Sequence, residues 1–107
     1  MIKAKFYLKN NKYFGFQVKG HAEYADPGED ILCSAVSALT INTINSIEDL
    51  CTDVFTVVTE DDGNIKARVE GDVSPEAELL MKSLRIGLIS IYEEYGDDYL
   101  RVFFKEV

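Results

Sequence analysis

The chain opens with strictly alternating apolar and polar side chains, the pattern of a half-buried β-strand. Residues 2–9 place an apolar side chain at every second position. Asn10 and Asn11 can adopt the positive φ angles that a tight hairpin turn needs. A second strand therefore follows and ends at Gly20. Its expected inner-face residues are Phe14, Phe16 and Val18.

A long stretch without glycine or proline runs from Ile31 to about Cys51. Its apolar residues approximate a helical stripe, and Asp30 is placed to cap its start. The β-branched residues between Thr40 and Ile44 favour a strand instead, but the stretch is too long for a typical strand. We therefore predict a helix with these residues on its inner face: Leu32, Val36, Leu39, Ile47 and Leu50.

The second half of the chain predicts two more strands, a helix and a last strand. Asp62-Gly63 is a strong turn signal between two strands, and Ser74-Pro75 suits a helix start. Gly87 inside that helix predicts a close contact, since glycine there costs about 1 kcal/mol relative to alanine. The predicted elements are strands at Val54–Thr59 and Ile65–Glu70, a helix from Ser74 to Gly96, and a strand at Tyr99–Val107.

The resulting order is β-β-α-β-β-α-β. Its economical packing is a two-layer α+β sandwich, in which two helices cover one face of a mostly antiparallel sheet. At 107 residues we expect one domain over residues 1–107. No run approaches the roughly 20 apolar residues of a transmembrane helix, and the N-terminus lacks the apolar core of a signal peptide. We therefore expect a cytoplasmic protein with no membrane partner.

The net charge of −8, from 19 acidic and 11 basic residues, bears on the choice of partner. It argues against direct nucleic-acid binding, which depends on lysine and arginine neutralising phosphates. It favours a basic partner, because a negative field speeds encounters with cationic surfaces. Equally, many cytoplasmic proteins are acidic only for solubility. We expect no cofactor and no metal, since Cys33, Cys51 and His21 are too few for a four-ligand zinc site.

Two residues in one run could perform covalent chemistry at neutral pH, His21 and Cys33. The predicted helix start would place Cys33 in the first turn, where the helix dipole stabilises a thiolate and backbone N–H groups can bind an oxyanion. His21, at the end of a strand, could accept the thiol proton and return it to a leaving amine. Cys33 could instead be a small buried apolar residue, and His21 an ordinary loop residue.

The neighbours of this pair have ordinary interpretations as well as functional ones. Asp30 is explained by helix capping, and Ser37, one turn after Cys33, could donate to the site or bond to its own helix. Gly28 serves a turn in the predicted loop over residues 21–30, or hinges a lid formed by residues 22–29. The two cysteines, Cys33 and Cys51, are expected to be free thiols, because a continuous helix separates them by roughly 27 Å.

The run Gly20-His21-Ala22, then five residues, then Gly28-x-Asp30-Ile31-Leu32-Cys33-Ser34-Ala35-Val36-Ser37 resembles the signature of the ribosomal-processing cysteine protease family Prp. The resemblance implies Cys33 as nucleophile and His21 as its histidine, with supporting positions at Gly28, Asp30 and Ser37. It further implies a dimeric endopeptidase of the bacterial cytoplasm. Members remove a short N-terminal extension from a large-subunit ribosomal protein, cleaving after phenylalanine.

Two hypotheses follow for this chain. The first is a cysteine endopeptidase acting on a basic ribosomal protein precursor, to which its negative charge is suited. The second is a non-enzymatic, acidic, dimeric module that binds a basic ribosomal protein or a ribosome-assembly factor. The reactivity of the Cys33 thiol separates the two.

Overall fold

The computed structural model describes residues 1–20, 27–60, 63–96 and 98–107, without the side chains of residues 27–30. Its elements are β1 (Ile2–Lys9), β2 (Lys12–Lys19), α1 (Pro27–Leu50), β3 (Val54–Thr59), β4 (Ile65–Glu70), α2 (Pro75–Tyr95) and β5 (Leu100–Glu106). The order β-β-α-β-β-α-β and the α+β class are confirmed. The main difference is that α1 begins at Pro27, four residues before the predicted start at Ile31.

The five strands form one mixed sheet in the order β3-β4-β2-β1-β5. Three of the four pairings are antiparallel, and β1 pairs with β5 in parallel. The parallel pair arises because α2 carries the chain back across the sheet before β5. Both helices contribute to a single core on one face of the sheet, as predicted.

A β-bulge shifts the register between β1 and β2. Tyr7 pairs with Gly15 and Leu8 pairs with Tyr13, which leaves Phe14 as the extra residue of β2. The prediction that Phe14 faces inward is therefore wrong. Its ring lies 6.3 Å from that of Tyr7 on the outer face, and Tyr13 takes the buried position instead.

Helix α1 buries Leu32, Val36 and Ile47 as predicted, but Leu50 is 69% exposed. The prediction missed two buried threonines, Thr40 and Thr43. Their hydroxyls donate to the carbonyls one turn earlier, at 2.7 Å and 2.9 Å. These bonds satisfy the hydroxyls inside the core, which is how a helix accommodates residues that otherwise favour strands.

The two helices approach closely where Leu39 of α1 meets Gly87 of α2. A Cβ added to Gly87 would lie 2.9 Å from Leu39 Cδ1, closer than such atoms normally come. The close contact predicted at Gly87 is therefore present, and its partner is a leucine side chain of the neighbouring helix.

The stretch Ile31–Leu50, 20 residues long, is apolar enough to cross a membrane by length and composition alone. The expectation that no run approaches this length is therefore wrong. In this fold the stretch forms most of α1, whose residues Leu32, Val36 and Ile47 belong to the core.

Helix α2 begins with a capped first turn that is tied to the loop before β3. The Ser74 hydroxyl accepts from the Ala77 N–H at 3.0 Å and donates to Asp53 Oδ1 at 2.6 Å. Asp53 Oδ2 also accepts from the Ser74 N–H at 2.8 Å. One carboxylate therefore positions the capping residue through both its backbone and its side chain.

Replacing Ser74 by alanine should lower the free energy of unfolding by about 1–2 kcal/mol, because the cap and an Asp53 contact are lost together. Urea unfolding at neutral pH measures the change. Ser83→Ala, at an exposed position in the same helix, should change it by less than about 0.5 kcal/mol. Equal effects of the two substitutions would contradict the capping role.

Candidate active site

Gly20 closes strand β2 immediately before His21, and its conformation is tightly determined. Its φ of 85° lies in the left-handed region, and an added Cβ would overlap the carbonyl oxygen of Met1. Its N–H donates to Asn64 Oδ1 at 3.2 Å. Only glycine fits here, so the backbone conformation of Gly20, the residue before His21, is fixed.

Several other segments meet at this end of the sheet. The N–H of Ile2 donates to the Tyr99 carbonyl at 2.8 Å, joining the starts of β1 and β5. The N–H of Glu60 donates to the Asn64 carbonyl at 2.8 Å, closing the turn between β3 and β4. We call this region the Gly20 end of the sheet.

The direction of helix α1 carries the chain from Leu50 back toward the Gly20 end. The helix finishes at Leu50, close to Val54, whose strand starts at the opposite end of the sheet. The 17 residues from Leu50 back to Cys33 span about 26 Å of helix, and an eight-residue strand such as β2 is about as long. Helix α1 therefore runs back from the end where β3 begins toward the sheet end that holds Gly20, and Cys33 lies in its first half.

Cys33 lies on the boundary between the buried and exposed faces of α1. Leu32 before it is buried and Ser34 after it is exposed, while the Cys33 side chain is half-buried and packs against the core. The thiol is free. Ser37 is also half-buried and lies one turn later on the same flank. The thiol is therefore supported by the core and still reached from outside.

The earlier start of α1 overturns two expectations. Asp30 is not the N-cap of the helix, because it lies in the first turn of a helix that begins at Pro27. Cys33 is the seventh helical residue and not the third. Its own N–H is paired within the helix, and the dipole effect is strongest in the first turn. Placement in the first turn therefore does not explain an activated thiol here.

His21 lies outside the described residues, as does the side chain of Asp30, while Gly28 belongs to the first turn of α1 and not to a turn or loop as predicted. The structure brings Cys33 and Ser37 together on one flank of α1. The structure determines the conformation of Gly20, the residue before His21, but His21 itself is outside the part of the chain that it describes. The predicted Cys–His pair therefore stays a prediction.

Cys51, the second thiol, has a different environment at the far end of α1. Loss of solvation raises the pKa of the Cys51 thiol, and the carboxylates of Asp53 and Glu76 raise it further. A hydrogen bond with Ser74 opposes these effects in part. Cys51 is therefore held as a neutral thiol at physiological pH, which makes it a natural internal control for Cys33.

Sequence reasoning missed Asn64, which fastens Gly20 to the turn between β3 and β4. An asparagine after a glycine turn is ordinarily explained by the turn itself. Its contact with Gly20 spans 44 positions of sequence and depends on β2 pairing with β4. The nearby chain therefore carries no signal for it.

Comparisons with known proteins bear on this geometry. The family model described as cysteine protease Prp matches residues 1–100. The Bacillus subtilis ribosomal processing cysteine protease Prp is 29% identical over 108 aligned positions, covering 95% of this chain and 96% of the relative. The Staphylococcus aureus ribosomal processing protease Prp bound to a substrate peptide has a TM-score of 0.89 at 25% identity, covering 98% of this chain and 100% of that one. Its complex with a covalently linked product peptide gives 0.86 at 26% identity, with the same coverage.

Gly20→Ala should lower the free energy of unfolding by about 2 kcal/mol or more, for two reasons. The new Cβ clashes with the Met1 backbone, and alanine is strained in the left-handed conformation that Gly20 adopts. Gly71→Ala is the matched control, since Gly71 has a φ of 79° and nothing within 4 Å of an added Cβ. Its cost should be about 1 kcal/mol. Urea unfolding of both variants measures the difference, and equal costs would show that the Met1 contact is unimportant.

The raised pKa of Cys51 predicts slow alkylation that depends on pH. In a Cys33→Ala variant, the rate at which Cys51 reacts with iodoacetamide should rise with pH, because only the thiolate reacts. The pH of half-maximal rate, the midpoint, should be higher for Cys51 than for N-acetylcysteine. Mass spectrometry follows the reaction. Glu76→Gln should lower this midpoint by removing a nearby negative charge. A midpoint at or below that of the free thiol would contradict the assignment.

Proposed function

The chain belongs to the cysteine protease Prp family, and on that premise we propose that it removes the short N-terminal extension of a large-subunit ribosomal protein by cleavage after phenylalanine. The observation that carries the proposal is the free, half-buried Cys33 thiol of α1, which packs against the core. Membership of a protease family decides against the non-enzymatic binding module. The covalently linked product peptide of the Staphylococcus aureus relative supports a covalent step.

In the proposed reaction the Cys33 thiolate, paired with a protonated His21, attacks the carbonyl carbon of the phenylalanine. A C–S bond forms, the C–N bond breaks, and His21 gives its proton to the leaving amine. His21 then takes a proton from water, which attacks the thioester carbonyl. The C–S bond breaks, the carboxylic acid product leaves and loses its proton to solvent, and Cys33 regains its thiolate beside a protonated imidazole.

The charge near the Gly20 end supports a basic substrate. Helix α2 leads into β5, so its last turn lies at this end of the sheet. That turn carries the exposed Glu93 and Glu94 and no basic residue, at the end of a helix whose free carbonyls add partial negative charge. A cationic protein segment is therefore attracted toward the region of Cys33.

Three further assignments belong to the same proposal. Gly28, Asp30 and Ser37 are supporting residues by resemblance to the family signature, and Ser37 has the supporting observation that it shares a flank of α1 with Cys33. The protein acts in the bacterial cytoplasm. It forms a homodimer, for which the exposed apolar residues Phe104 and Val107 near the β5 edge offer a surface to cover.

Cys33→Ala should lower kcat for cleavage of the extended ribosomal protein by at least about 1,000-fold, because no other group replaces the nucleophile. His21→Ala should cause a comparable loss. Incubation with the precursor and mass spectrometry of the new N-terminus measure both. In the wild type, the same spectra should show a transient adduct on the peptide that contains Cys33.

Cys51→Ala is the matched control, since it removes the other thiol at the far end of α1. It should retain kcat within about twofold, because Cys51 is remote from the reaction. Far-UV circular dichroism of each variant verifies the fold. Cleavage retained by Cys33→Ala, or lost in a folded Cys51→Ala, would overturn the assignment of the nucleophile.

A further inference from the structure

The basic residues of this acidic chain are concentrated on one surface. Nine of the 11 lysines and arginines lie on strands, three on β1 and two each on β2, β4 and β5. Side chains alternate between the two faces along each strand, and the pairing register places all nine basic side chains on the face that points away from the helices. On the described strands, Glu70 is the one carboxylate on the same side. We call this surface, centred on Lys5, Gln17 and Lys66, the open face.

The register aligns the cations of the open face into rows across the sheet. Lys3 stands between Lys19 on one neighbouring strand and Arg101 on the other. Along a strand, alternate residues are about 6.6 Å apart. The result is an array of positive charge with no described helix over it, and an array of this kind favours a polyanion over a single small anion.

Aromatic rings lie among these cations. The Lys66 ammonium lies 5.5 Å from the centre of the Tyr7 ring, which in turn lies 6.3 Å from the Phe14 ring. Phe103 is 39% exposed and is paired in register with Lys5. Unpaired nucleobases stack on exposed aromatic rings while lysine and arginine hold the phosphates. The open face therefore offers both parts of such a surface.

We propose that the open face binds single-stranded RNA. The net charge of −8 does not oppose this, because the charge is unevenly distributed. Nine of the 11 cations lie on the open face, whereas eight of the 19 acidic residues lie on the two helices behind the sheet, where salt with a Debye length of about 8 Å screens them. Phosphates at the open face respond to the local cations. Symmetric pairing of two open faces would instead bring like charges together. The inference does not depend on the proposed peptidase activity.

The test measures binding of the full chain to a fluorescein-labelled polyuridine RNA of about 20 nucleotides by fluorescence anisotropy. Binding should weaken with salt. The double variant Lys3→Gln/Arg101→Gln should bind the RNA about tenfold or more weakly at about 0.1 M salt. The plot of log K against log salt should become less steep, its negative slope shrinking in magnitude by about 1.4. Both side chains are exposed.

The control variant Lys82→Gln/Arg85→Gln changes the net charge equally but lies on α2. It should bind the RNA within about twofold of the wild type. Because Arg85 donates to the Tyr13 hydroxyl, a thermal melt verifies its fold, and the single variants Lys3→Gln and Lys82→Gln give the same comparison without that bond. Phe103→Ala should weaken RNA binding severalfold and leave heparin binding unchanged, since heparin has no bases to stack.

Several outcomes would overturn the proposal. One is the absence of binding at about 100 µM protein in low salt, and another is an equal loss in the control variant. Equal affinity for duplex RNA would exclude recognition of unpaired bases. Binding to phosphatidylserine vesicles without RNA binding would assign the face to a membrane surface. Head-to-tail self-association abolished by Lys3→Gln/Arg101→Gln, again without RNA binding, would assign it to a second copy.

Discussion

Both helices pack on the same face of the sheet, and this one-sided covering determines where the chain places its apolar and charged residues. Every second residue of β1 is buried, from Ile2 to Phe6, while the lysines between them stay solvated. Burying those lysines under a third layer would require partners for each charge. A molecule with many acidic residues in all can therefore carry a strongly basic surface.

The strands and hairpins were predictable because their alternation and turn residues are local signals. The bulge at Phe14 was not, since one extra residue leaves the composition unchanged while it exchanges the faces of Tyr13 and Phe14. The start of α1 was missed because Pro27 and Gly28 were interpreted as a loop, although proline is favoured in the first turn of a helix. Physical rules for local structure therefore located the elements better than their ends.

The candidate site, like the fold, was predicted only in part. The signature identified His21 and Cys33, which spacing alone left undecided. The argument that Cys33 gains reactivity from the first helical turn was wrong, because its strength depended on a boundary misplaced by four residues. Gly20 and Asn64 hold the strand end beside the site through a contact between distant parts of the sequence. Such contacts follow from strand pairing, which no local pattern reveals.

The parallel pairing of β1 with β5 has a consequence for the order of folding. Strand β1 obtains its second neighbour from residues 100–106, and the Ile2–Tyr99 bond joins the two strands at the Gly20 end of the sheet. Contacts between the two ends of a chain form late, because a long loop must close first. During synthesis, β1 and β2 emerge long before β5 exists. Strand β1 therefore gains its second neighbour only after residues 100–106 have been made, and until then its edge toward β5 is unpaired.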